Sequence, residues 1–181
     1  MPGGVVLSAK RNPLALLRGG DRRSIGRAGQ VAKTVAKDPK LFPELVAGLW
    51  SEDPLVCMRA ADATEKITRM HPEYLQPYKA ELLGLLTAAT QQELRWHLAA
   101  MVPRLPLDAK EKRTVASTLK IYLVDRSSIV KTFALQGLAV LAEADPALQS
   151  TVTEILREAT RTGTPAMKAR ARKLLARLQA P

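Results

Sequence analysis

Arg95, Trp96 and His97 stand in succession. A large aromatic ring set between basic side chains is a composition found at binding hot spots. Other residues able to do chemistry stand alone. Cys57 is the single cysteine, so neither an intramolecular disulfide nor a cysteine metal cluster can form. No base is placed to activate it as a nucleophile, and it reads as a thiol on a helix face. His71 and His97 are far apart, with no third ligand at metal spacing, so no metal site is expected. His71 precedes Pro72 and fits the end of a helix. Gly3-Gly4 and Gly19-Gly20 lie outside any phosphate-loop pattern and read as turns or loose chain. Acids are plentiful, but no pair of them is set in a recognisable catalytic frame. These residues predict a non-enzymatic protein with no cofactor.

The elements that carry these side chains repeat. The segment DPLVCMRAADATEKI at 53–67 places Val56, Ala60, Ala63, Thr64 and Ile67 on one helical face, at steps of three and four. The same template fits 94–105 through Leu94, Leu98, Met101, Val102 and Leu105, and 130–141 through Val130, Ala134, Gly137, Leu138 and Leu141. It fits 167–178 through Met167, Ala171, Leu174, Leu175 and Leu178, and a looser copy through Ala28, Val31, Ala32 and Val35. The four closer copies start 38, 36 and 37 residues apart. A first set of helices alternates with this second set, at 39–50, 72–86, 108–123 and 146–160. Pro39 and Pro72 suit a first helical position. Pro43 and Pro77 are expected to bend the helices that contain them. Asp108 and Asp145 are placed to cap the third and fourth.

Two helices per unit of about 37 residues is the pattern of stacked α-hairpins. The repeat resembles the HEAT family, in the variety of the phycocyanobilin lyase-like repeats. The resemblance covers 21–179, with 1–20 expected as a partly ordered or capping segment. It implies an all-α, right-handed α-α superhelix (a HEAT-like solenoid) of about four to five antiparallel helix pairs in a single repeat domain. The family's second helix carries a cation one place after its first apolar residue. Arg95, Lys131 and Lys168 hold that place here, while Cys57 stands there in the earlier copy, with Arg59 two residues on. The family also sets an aspartate in the preceding loop, matched by Asp125 and, in a shorter loop, by Asp53. The resemblance implies that Asp53, Arg95, Asp125, Lys131 and Lys168 form a structural ladder between neighbouring repeats, its bonds fixing the stacking angle.

At about 100° per residue, positions two and six places after each first apolar residue lie opposite the apolar face. They are Met58, Trp96, Thr132 and Ala169, then Asp62, Ala100, Gln136 and Lys173. In HEAT-like arrays the second helices line the concave surface, so these positions predict a groove. It is centred on Trp96 and His97, with Met58, Arg59 and Asp62 on one side. Ala100, Thr132, Phe133, Gln136, Arg170 and Lys173 complete it. A Trp at the most outward position is costly to leave wet, so Trp96 either lines the groove or is buried as core by helix curvature or the neighbouring repeat. Trp50, at the end of a first helix, reads as packing under a turn. The expected partner is a protein or peptide of acidic character.

Charge separates the alternatives. The chain of 181 residues has a formal charge of +11. Residues 1–40 carry nine Lys/Arg against Asp21 and Asp38, and 161–181 carry six and no acid. The middle holds thirteen basic and fifteen acidic residues. A basic stripe for a nucleic-acid backbone needs charge along its whole length. DNA binding of the kind seen in HEAT-like alkylpurine glycosylases is thus the weaker reading, and bilin-lyase-like assistance to an enzyme weaker still. No apolar run approaches the ~20 residues that span a bilayer. With no secretory leader, cytoplasm is the expected location.

Overall fold

A computed structural model describes residues 12–21 and 23–179. Among them every regular element is helical. The chain divides into two compact units, Met1–Tyr74 and Leu75–Pro181. Of the expected N-terminal segment, 1–11 lie outside the described residues, while Ala15–Leu17 forms a 3-10 turn that buries Leu17.

In the first unit, α1 (Ala28–Lys37) packs against α3 (Pro54–Thr68), with the short α2 (Phe42–Ala47) also against α3. Val31 and Val35 of α1 and Ala60, Ala63 and Ile67 of α3 are buried, as the helical spacing predicts. Asp53 starts α3 by accepting bonds from the amides of Leu55 (2.9 Å) and Val56 (3.4 Å). A methyl group on Gly48 would lie 2.6 Å from Leu14 Cδ2 and 2.7 Å from Ala60 Cβ, so this approach requires glycine. The Phe42 ring meets Tyr74 edge-on at 5.2 Å, and His71 stacks on Tyr74 at 5.0 Å.

The prolines do more than bend their helices. The helix expected at 39–50 divides into a 3-10 turn (Pro39–Leu41), α2 and a second 3-10 turn (Gly48–Trp50). The one expected at 72–86 begins as a 3-10 segment, Pro72–Tyr78, that holds Pro77 and gives way to α4 (Lys79–Ala88). Proline lacks the N–H that an i→i−4 bond needs, so Pro43 falls in the first turn of α2, where that N–H has no partner to lose, and α4 begins beyond Pro77. Pro103 acts likewise, ending α5 (Gln92–Met101) in a 3-10 turn, Val102–Arg104.

The second unit continues with α6 (Ala109–Tyr122), α7 (Ser128–Ala144), α8 (Pro146–Thr162) and α9 (Pro165–Leu178). Its second helices, α5, α7 and α9, pack side by side in that order. The first helices α6 and α8 flank α7, and α4 packs on α5 and α6. Leu135, Leu138 and Leu141 of α7 are almost fully buried, each stabilising the fold by roughly 2 kcal/mol. Gly137 lets α5 and α7 approach closely: a methyl group there would lie 2.6 Å from the Ala99 carbonyl oxygen and 2.9 Å from Leu119 Cδ1. Asp108 opens α6 with a reciprocal cap, accepting from the Glu111 amide while the Glu111 carboxylate accepts from its own, both at 2.8 Å. Ser127, Asp145 and Thr164 cap α7, α8 and α9. No helix among the described residues is long and apolar enough to cross a membrane.

Candidate functional site

The candidate residues of the second unit lie on α5, α7 and α9, and the bonds between those helices decide which remain accessible. Arg95 leaves α5 to reach the loop before α7. Its Nη1 donates to Asp125 Oδ2 at 2.6 Å, its Nε donates to the Ala89 carbonyl at 2.7 Å, and its guanidinium lies 5.3 Å from the Tyr122 ring centre. Asp125 Oδ1 accepts the Ser127 amide at 2.7 Å. Burial of Asp125 works to raise its pKa, but the Ser127 amide and the Arg95 guanidinium outweigh it and hold the carboxyl below its usual range. Tyr122 is pushed up to about 12 by burial, and its hydroxyl donates to the Leu86 carbonyl at 2.5 Å. Arg95 and Asp125 thus tie α5 to the loop before α7.

The contact between α7 and α9 is made differently. Lys131 and Lys168, half-buried, are in no ion pair or side-chain hydrogen bond among the described residues. In their place Ser128 Oγ and Thr164 Oγ1 share a hydrogen bond of 2.7 Å. Arg170 of α9 donates to Gln136 Oε1 of α7 and lies 5.7 Å from the Phe133 ring centre. Arg177 pairs with Glu143. Asp53 Oδ1 accepts backbone amides as the cap of α3.

Several groove positions are buried instead of open. Met58 and Arg59 are buried in α3, Ala100 in α5 and Thr132 in α7. The Thr132 hydroxyl donates to the Ser128 carbonyl at 2.7 Å. The physical reason is clearest in α7, which packs against α5, α6, α8 and α9. A helix so surrounded is covered well beyond one stripe, and a one-face template then fails. The end helix α9 follows the template, with Ala169, Lys173 and Ala176 exposed. Asp62 is half-buried, with its carboxylate 2.6 Å from Lys66 Nζ. Trp50, expected as packing, is exposed.

What is not buried in the second unit is a smaller set: Trp96 and His97 on α5, Phe133 and Gln136 on α7 and Arg170 on α9, all half-buried, and the exposed Lys173 on α9. The Trp96 and His97 rings are 5.6 Å apart and tilted. Gln136, Phe133 and Arg170 form one cluster. Lys168, Arg172 and Lys173 are in no ion pair among the described residues, so α9 presents uncompensated positive charge. Such a face can receive an apolar or aromatic side chain beside a carboxylate.

Sequence reasoning missed two features. One is Arg59, whose guanidinium is held by four backbone carbonyls of the segment 17–24. The other is an open groove of about 920 Å³ lined by Leu123, Leu135, Ile155 and Met167 and edged by both Glu158 and Arg161. Comparison of the chain with protein families, with curated proteins and with solved structures finds no match.

Proposed function

We propose that this protein is a HEAT-like repeat protein and a non-enzymatic scaffold that binds an acidic segment of another protein. The right-handed superhelix of such repeats is the winding proposed for α4–α9. The side-by-side packing of successive second helices supports the repeat assignment, as does a rung that joins Arg95 of one repeat to Asp125 before the next. The binding face is the set Trp96, His97, Phe133, Gln136, Arg170 and Lys173. The observation that carries it is Arg170, held against Phe133 and Gln136 beside three uncompensated cations on α9. A bound peptide would bring carboxylates to Arg170, Lys168 and Lys173 and set an apolar side chain against the aromatic rings.

The two tryptophans make a direct test. In a Trp50→Phe background Trp96 is the sole indole reporter. Peptides selected by display against the full chain are titrated into it. Expected are acidic peptides that change Trp96 fluorescence saturably, with Kd raised at least tenfold by Lys173→Glu. Selected peptides lacking acidic bias, or bound equally well by a folded Trp96→Ala/Lys173→Glu variant, would overturn the reading.

A further inference from the structure

The first unit carries its own concentration of charge, built around a buried arginine. Arg59 is only 2% exposed. Its Nε donates to the Ser24 carbonyl (3.2 Å), Nη1 to those of Leu17 (2.7 Å) and Gly19 (2.5 Å), and Nη2 to that of Asp21 (3.0 Å). All four partners are backbone carbonyls, and none is a carboxylate. Dipoles of this kind stabilise a buried cation without cancelling its charge. A guanidinium has five N–H donors, and these bonds engage four.

The loop around Arg59 can take this shape because Gly19, Gly20 and Gly26 hold φ of +71°, +85° and +53°, values that L side chains rarely adopt. At Gly26 a methyl group would also lie 2.9 Å from Arg59 Cζ. The wrapped loop leaves an open cleft of about 490 Å³, lined by Arg18, Arg27 and Arg59 and by the chain from Gly19 to Asp21. Arg18, Arg23 and Arg27 are exposed and in no ion pair among the described residues. Asp21 is the one carboxylate on the lining, and its Oδ1 accepts the Arg23 amide at 3.0 Å. Three guanidinium groups against one carboxylate leave the cleft with a positive excess.

We propose that this cleft is an oxyanion site that takes a phosphate group. The uncancelled charge of Arg59 sets the potential, and Arg18 and Arg27 supply planar, bidentate donors matched to phosphate oxygens. The site is separate from the peptide-binding face of α5, α7 and α9 and does not rest on it.

The test uses the full chain at constant ionic strength, with circular dichroism confirming that each variant folds. Pyrophosphate is titrated calorimetrically into the wild type, into Arg18→Gln/Arg27→Gln, and into Arg113→Gln/Lys120→Gln, which removes the same charge from exposed positions of α6. Expected is saturable binding to the wild type, weakened at least tenfold by the first double substitution and unchanged by the second. Absence of saturable binding, or equal weakening by both, would overturn the proposal. A single-stranded oligonucleotide tells the source of the phosphate. Binding over 100-fold tighter than pyrophosphate, lost in Arg18→Gln/Arg27→Gln, identifies a nucleic-acid strand. Comparable or weaker binding identifies a free phosphorylated ligand.

Discussion

Arg59 in the first unit and Arg95 in the second stand near the start of the same repeat template, three and one places after its first apolar residue. They satisfy their charge in opposite ways. Arg59 reaches back to chain that precedes it by 35 to 42 residues and binds only carbonyls. Arg95 reaches forward 30 residues and binds a carboxylate, with 31% of its side chain in contact with solvent. The first arrangement fastens a loop that has no regular structure of its own. The second joins two helices already in contact. A buried arginine held by carbonyls is therefore an organiser of chain, whereas a half-exposed ion pair trims a seam that packing has made.

The largest effect expected from this contrast is at Arg59. Arg59→Met leaves the buried carbonyl of Leu17 and three part-buried carbonyls without their charged donor and should cost about 3 kcal/mol. Chemical denaturation measures the loss. Trypsin should cleave the released loop after Arg18, Arg23 or Arg27 well before it does so in the wild type. A cost no greater than that of Arg95→Met would break the comparison.

Packing comes next. Gly137→Ala puts a methyl group against the Ala99 carbonyl and Leu119, and overpacking of this kind costs roughly 1–3 kcal/mol. The midpoint of denaturation should fall without a change in its slope.

The smallest effect belongs to the Arg95–Asp125 pair. Its coupling in a double-mutant cycle should be about 1 kcal/mol, reduced by solvent at Arg95. Its pH dependence has a definite sign. The carboxyl of Asp125 titrates lower in the folded chain than in the unfolded one. The pair's stability is thus complete above the ordinary carboxylate range and lost as pH falls through the lowered value. Asp125→Asn should flatten that part of the acid limb in a series of denaturation curves. An unaltered limb would show that the rung does not titrate.

What could be read from the sequence was what local spacing specifies. The apolar steps of three and four located α3, α5, α7 and α9, and an aspartate before Pro146 marked the start of α8. Asp125 was legible as a residue of the loop before α7, and it is there that Arg95 meets it. Long-range consequences were not legible. Met58 and Thr132 sit at outward positions of their template, and only packing from several sides buries them. Nor do backbone carbonyls have a sequence signature, so the partners of Arg59 could not be foreseen. Arg170 was placed on the correct helix, but its seat against Phe133 and Gln136 depends on how α7 and α9 meet.

The two seams beside α7 respond to different surroundings. The α5 seam is fastened by opposite charges. Across the α9 seam Arg177 and Glu143 form an exposed ion pair, but Ser128 and Thr164 are also joined through hydroxyls that neither acid nor salt can neutralise. Acid protonates Asp125, and salt screens the half-exposed Arg95 that faces it. Under either stress the charged links weaken while the hydroxyl joint holds, so the α9 seam keeps a fastening that the α5 seam lacks, like a garment with a snap alone on one side and a snap and a stitch on the other.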